Sequence, residues 1–304
     1  MLRWLLLVFL VGVTPTPGVP WRLPVPPPSA VRPVAAATPT VRAGAVPVPA
    51  PQATAVAVLD TTTGAFLYRQ AARRPLPLAS ITKLMTALAV IDTSPDWQAV
   101  VNIQAADQRL GGRQWLQPGE KVAVEDLLEL MLVASANEAA VALARSTGLS
   151  PSAFVAAMNR HAQASGLSSL RFADPAGLEA ANVGNAEDVA RLITLALQHE
   201  RIRQALIRTS YRFTIRGTGE QREAPATNQE LLLPGGAGVA VAVVGGKTGY
   251  LEEVGYNFAG VVEQSGRLVS VAVLGAATED GRWQSVRAVV RWIYASYEWP
   301  HRGG

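Results

Sequence analysis

Twelve of the chain's 21 prolines fall between Thr14 and Gln52. Each proline fixes its own φ and removes a backbone donor, so a stretch this dense builds neither helix nor central strand. The stretch holds no acidic residue and is rich in alanine and valine. Extended, polyproline-like chain is the conformation such a composition favours. The packed core must therefore come from the residues after Gln52. Three segments are expected: residues 1–18, a Pro/Ala-rich linker over 19–52, and one folded domain over 53–304. Met1-Leu2-Arg3 followed by the apolar run Trp4 to Val13 predicts a secretory signal. The run is short for a membrane span; retained, it would act as a short N-terminal anchor.

Charge sharpens this division. Of 27 basic residues, Arg3, Arg22, Arg32 and Arg42 precede the first acid, Asp60, leaving 23 basic against 23 acidic residues from Ala53 onward. A neutral body argues against a nucleic-acid partner, which requires a basic face. The absence of cysteine removes disulfides, thiolate nucleophiles and thiolate metal sites. The three histidines, His161, His199 and His301, form no HExxH or other metal-ligand pattern. No GxSxG elbow is present to hold the serine of a Ser-His-Asp triad. Lysine is used only at Lys83, Lys121 and Lys247. In a chain that prefers arginine, a retained lysine marks a position where the ability to lose a proton matters.

Periodicity gives a coarse order of elements. Ala53 to Leu59 and Ala65 to Arg69 flank a turn and read as a hairpin. Ser80 to Ile91 has helical spacing, with Leu84, Ala87, Leu88 and Ile91 on one face. Val124 to Val133 and Glu138 to Ala144 are helical, broken at Ser135-Ala136-Asn137. Ser150-Pro151 caps a helix running to about Ser165, and Ala186 to Gln198 is another. Strands are expected at Tyr211 to Ile215, Val239 to Val244, Gly255 to Val262 and Leu268 to Leu274, then a helix from Arg282 to Tyr297. Strands at both ends with helices between predict an α/β (α+β) fold. Its antiparallel sheet is drawn from distant parts of the chain and packs against a helical cluster.

Three short motifs carry chemistry. Ser80 and Lys83 share a helix face at the helix start, which suits a nucleophile and a base, though taken alone the pair more often marks an N-cap serine and a surface lysine. Ser135 and Asn137 interrupt an apolar helical run, as a proton-relaying hydroxyl and a substrate-binding amide, or as caps of a turn. Gly246-Lys247-Thr248-Gly249 comes directly after a strand. There Lys247 and Thr248 could hold a carboxylate while the glycines admit an extended peptide, or the lysine is simply solvated. Taken together and in this order the motifs are far more specific than any one of them.

The set resembles the low-molecular-weight penicillin-binding proteins, specifically the D-alanyl-D-alanine carboxypeptidases. The likeness runs from about Ala55 to Trp299. It includes PLASITKLMTAL around Ser80, EDLLELMLVASANEAA around Ser135, the segment Phe154 to Leu178, and GGKTGYLEEVGYNFAGVV. The resemblance implies a β-lactamase/transpeptidase-like fold. It implies Ser80 as acylated nucleophile, Lys83 as general base and Ser135 in proton transfer. Asn137 would line the cleft with Ser135, Lys247 and Thr248 would bind the terminal carboxylate of the substrate with Gly249 beside them, and the amides of Ser80 and Tyr250 would form the oxyanion hole. The implied substrates are peptidoglycan stem peptides ending in D-Ala-D-Ala, with β-lactams as inhibitors and no metal or organic cofactor. The implied location is exported, in the periplasm or on the cell-wall side of the cytoplasmic membrane, with any membrane tether at the N-terminus.

Some residues depart from the usual pattern: Leu251 replaces a common threonine, Val254-Gly255 replaces Ala-Gly, and Ser-Thr is missing before Ala186. Other readings are a D,D-endopeptidase, a class A-like β-lactamase and a non-catalytic peptidoglycan-binding or β-lactam-sensing protein. The β-lactamase needs a deacylating glutamate, and Glu179, Glu187 and Glu200 sit in no such pattern.

Overall fold

Alternation along two strands builds the centre of the molecule. Val56 and Val58 point to one side of their strand, and Ala55, Ala57 and Leu59 to the other; all are buried. Val269, Val271 and Val273 alternate in the same way with Ala272 and Leu274 on the neighbouring strand. Both faces of this sheet are therefore covered. A computed structural model describes residues 37–45, 47–227 and 241–300. The leader expected over 1–18, most of the linker, the start of the strand expected from Val239, and His301 lie outside the described residues.

The described chain opens with β1 (Thr40–Val41), β2 (Ala53–Asp60), β3 (Phe66–Gln70) and β4 (Leu76–Pro77). A 3₁₀ turn over Ala79–Ile81 leads into α1 (Thr82–Ile91). Then come β5 (Val100–Asn102), β6 (Lys121–Ala123), α2 (Val124–Val133), α3 (Asn137–Ser146) and α4 (Pro151–Ala164). They are succeeded by β7 (Val183–Gly184), α5 (Ala186–Ala196), α6 (Glu200–Leu206), β8 (Ser210–Thr214) and β9 (Gln221–Pro225). The chain closes with β10 (Ala242–Leu251), β11 (Gly255–Gln264), β12 (Arg267–Ala276), α7 (Glu279–Ser296) and β13 (Tyr297–Glu298).

The main sheet has the order β10-β11-β12-β2-β3, antiparallel throughout. Its register places Val271 between Gly260 on β11 and Val58 on β2, so the two chain ends meet at its middle. α7 covers one face through Trp283, Val286, Val289, Val290 and Ile293. The other face is lined largely by alanine, and that lets α5 lie close on β2 and β12. The expected fold of chain-distant strands against a helical cluster is what forms, with α7 added as a third layer.

α1 differs from its amphipathic expectation. Every residue from Thr82 to Val90 is buried, because α2, α3, α4 and α5 surround it. Lys83 is consequently an interior residue.

The segment read as linker contains β1, whose Thr40 and Val41 pair with Glu298 and Tyr297. Tyr68 and Gln70 also hydrogen-bond to the carbonyls of Pro49 and Pro51. No helix among the described residues is long and apolar enough to cross a membrane.

Candidate active site

Beside β10, an edge strand of this sheet, the three motifs converge on one cleft of about 690 Å³. Ser80 sits on the 3₁₀ turn before α1. Its neighbour Ala79 is held at φ 52°, a left-handed conformation that costs a non-glycine residue about 1–2 kcal/mol. Gly177 and Gly249 are the reason the turn can sit where it does. A Cβ on Gly177 would meet the Ala79 carbonyl oxygen at 2.0 Å, and one on Gly249 would meet the Ser80 nitrogen at 3.1 Å. Two backbones thus close on the Ala79–Ser80 peptide from opposite segments of the chain.

Lys83 lies one turn along, with no exposed surface. Its Nζ is 2.9 Å from Ser80 Oγ, 2.8 Å from Asn137 Oδ1 and 2.6 Å from the Ala176 carbonyl. Three acceptors saturate an ammonium. Burial nevertheless lowers its pKa to about 7, against the opposing pull of Asp174 and Glu138. After losing one proton, the amine keeps two N–H groups for Asn137 and Ala176 and turns a lone pair toward Ser80. A serine in that position can be deprotonated as it attacks.

Each contact has its own support. Asp174 Oδ1 accepts the amides of Ala176 and Gly177, and its Oδ2 accepts those of Glu179 and the Asn182 side chain. Thr86 donates to the Pro175 carbonyl at 2.7 Å. This loop thereby delivers the Ala176 carbonyl to Lys83. Asn137 Nδ2 donates to the Gly111 carbonyl at 2.6 Å, which fixes the way its amide faces.

Ser135 lines the cleft between α2 and α3 at φ 59°, another left-handed non-glycine residue. It joins Ser80 and Asn137 at the same opening.

On β10, Thr248, Gly249 and Tyr250 line the cleft. Lys247 is buried, and its Nζ donates to the Thr248 carbonyl at 3.1 Å. Burial holds its pKa well below the ordinary lysine value, and the charges of Lys83 and Arg282 add to that. The strand expected to end at Val244 runs on to Leu251, so Lys-Thr-Gly lies within the edge strand and not after it.

Four contributors were not evident from the motifs. Asp174 and Gly177 build the loop under Lys83; the spacing Asp-x-x-Gly in a predicted loop is their signal. Thr227 accepts the Thr248 hydroxyl at 2.9 Å. Arg282, on the first turn of α7, reaches the cleft from far along the chain, buried beside the Tyr256 and Trp283 rings and paired with Glu279. No local pattern marks Thr227 or Arg282. The acids named in the β-lactamase reading sit elsewhere: Glu187 pairs with Arg69 and Arg73, and neither Glu179 nor Glu200 lines the cleft.

The model of the peptidase S11 family, described as D-alanyl-D-alanine carboxypeptidase, matches residues 42–278. The chain belongs to that family. A D-alanyl-D-alanine endopeptidase of Pseudomonas aeruginosa is 36% identical to this S11 chain over 149 residues, 48% of each protein. The D-alanyl-D-alanine carboxypeptidase DacF of Bacillus subtilis is 27% identical over 255 residues, 81% of this chain and 63% of that protein. The match thus spans about half of the first relative and under two thirds of the second. A solved D-alanyl-D-alanine carboxypeptidase of Mycobacterium tuberculosis aligns at a TM-score of 0.75 and 25% identity. That alignment covers 86% of this chain and 100% of the other. The Streptomyces K15 DD-transpeptidase shares the fold at a TM-score of 0.75.

Proposed function

We propose that the protein is a serine-type D-Ala-D-Ala carboxypeptidase acting on peptidoglycan stem peptides through a Ser80 acyl-enzyme. One observation carries the reading: a buried lysine with its pKa lowered to about 7 lies 2.9 Å from a serine hydroxyl at the floor of a peptide-sized cleft. Neutral Lys83 takes the proton of Ser80 as Oγ bonds to the carbonyl carbon of the penultimate D-alanine. The amides of Ser80 and Tyr250 receive the oxyanion. The C–N bond then breaks, and the leaving D-alanine carries away the proton, with Ser135 as the hydroxyl in that path. Water repeats the sequence on the acyl-enzyme. Asn137 and Gly249 border the bound peptide. Thr248 and Arg282 take the terminal carboxylate; Lys247, expected there from the sequence, is buried with its Nζ on the Thr248 carbonyl.

A β-lactam presents a similar acyl group and carboxylate to the same cleft, so β-lactams are the expected inhibitors. The substrate class lies outside the cytoplasm, in keeping with the secretory signal, or short anchor if retained, read from Met1 to Val13. The test is intact-protein mass after incubation with a penicillin, for the wild type and Ser80→Ala, followed by D-alanine release from an uncross-linked stem peptide. A stable adduct on the wild type alone, with D-alanine released, is the expected result. Fast penicillin loss without an adduct would favour a β-lactamase instead.

A second reading, D,D-endopeptidase, draws on the endopeptidase name of the 36% identical relative. Cross-linked muropeptides cleaved faster than uncross-linked ones would favour it.

A further inference from the structure

Glu138 comes after Asn137 in the first turn of α3 and is 1% exposed. An acid at a helix start serves the helix dipole equally well from the surface. Burial of a carboxylate there is costly and calls for a reason. Its Oε1 accepts the backbone N–H of Trp115 at 2.6 Å and of Leu116 at 3.2 Å. Its Oε2 is buried and has no hydrogen-bond partner among the described residues.

The loop it holds is a wall of the cleft. Gly111, Gly112, Arg113 and Trp115 line that opening, with the Arg113 guanidinium 4.0 Å above the Trp115 ring. Asn137 grips the same loop at the Gly111 carbonyl while giving its oxygen to Lys83. Consecutive residues therefore tie the loop to the catalytic lysine.

We propose that Glu138 is a positioning residue: its buried carboxylate pins the Gly111–Leu116 wall to the start of α3 and sets a fixed negative charge one residue from the amide that holds Lys83. The charged neighbours of Lys83 come from separate elements. They are Glu138 on α3, Asp174 on the loop before β7 and Lys247 on β10, and Arg282 on α7 in turn acts on Lys247. From α4, Met158 faces the Thr86 hydroxyl, and His161 Nδ1 lies 2.6 Å from Asp92 Oδ2 just past the end of α1. On α5, Glu187 and Asp188 are already paired with arginines. Glu138 is thus one of two negative charges acting on the lysine.

The inference rests on the acyl-enzyme reading for its kinetic arm only. The chain has three lysines, so protein labelled with ¹³Cε-lysine gives three signals, and the Lys83 titration is followed directly without turnover. Glu138→Gln keeps an acceptor for both amides and removes the charge. The Lys83 midpoint is expected to fall by about half a pH unit or more, and the acid limb of penicillin acylation with it, while KM stays within about twofold. Glu138→Ala removes the acceptor as well, and KM for a stem peptide is expected to rise about tenfold. An unmoved Lys83 midpoint in the Gln variant overturns the proposal, as does an unchanged KM in a folded Ala variant. If the Ala variant does not fold, the titration of the Gln variant decides alone. A wild type that forms no penicillin adduct would refute the acyl-enzyme reading, yet the lysine titration would still test the placement of Glu138.

Discussion

On the proposed acyl-enzyme reading Lys83 has to be uncharged to take the Ser80 proton, and its burial is what brings that state within reach of neutral pH. The pKa is lowered to about 7 by desolvation, so the amine is protonated below that value and free above it. The acylation rate with a chromogenic β-lactam is expected to rise with pH through about 7 and then level off. A rate independent of pH between about 5 and 9 would remove Lys83 from the base role. Lys83→Arg keeps the positive charge but cannot shed it, because guanidinium stays protonated in proteins. Its acylation rate is expected to fall by roughly 10²–10⁴, the usual contribution of a general base. Ser80 and Lys83 were legible in the sequence as a spacing. Their environment was not, since a surface lysine and a saturated interior one are written with the same letter. The contacts that distinguish them come from Asn137 and Ala176.

At the scale of elements, the site depends on how closely a loop and a strand can approach one 3₁₀ turn. Gly177 has φ +83°, and its missing Cβ leaves room for the Ala79 carbonyl. Gly177→Ala is expected to destabilise the fold by about 2–3 kcal/mol, since it combines backbone strain with a backbone clash. It should also slow acylation, because the Ala176 carbonyl moves with it. Gly219 has a similar φ of +75° with nothing within 4 Å, so Gly219→Ala should show the strain alone, about 1 kcal/mol, and normal acylation. Thermal unfolding and adduct formation on both variants check this; equal effects would mean that the close approach at Gly177 does not matter.

Long periodic elements were readable: α2 spans Val124–Val133 as expected, and α4 begins at Pro151 behind its Ser150 cap. The seven-residue α6 was not, since Ile202, Ala205 and Leu206 supply too short an apolar stripe. β1 was hidden by the prolines around it, and only its pairing with β13 makes it a strand.

Across the whole molecule, the cleft is assembled by closing a sheet from both ends of the domain. Arg282 reaches the cleft because α7 lies across the sheet, although the residue stands far from the other motifs in sequence. Arg282→Gln is expected to raise KM for a peptide with a free C-terminal carboxylate by about 10–100-fold, from the loss of a charge-assisted contact. A peptide ending in a C-terminal amide should lose far less. Equal losses for both peptides would assign Arg282 a packing role against Tyr256 and Trp283 instead.

The sequence alone determined the chemistry on offer and the layers that carry it. The three motif spacings, the lack of cysteine and the alternation of β2 and β12 are local properties of the chain, and local properties survive without a fold. The tertiary structure decided which groups act on one another. The lowered pKa of Lys83, the burial of Lys247, the clamp made by Glu138 and the arrival of Arg282 all arise between residues distant in the chain. Desolvation and Coulomb interactions depend on distance in space, and only the packed sheet and helices fix those distances.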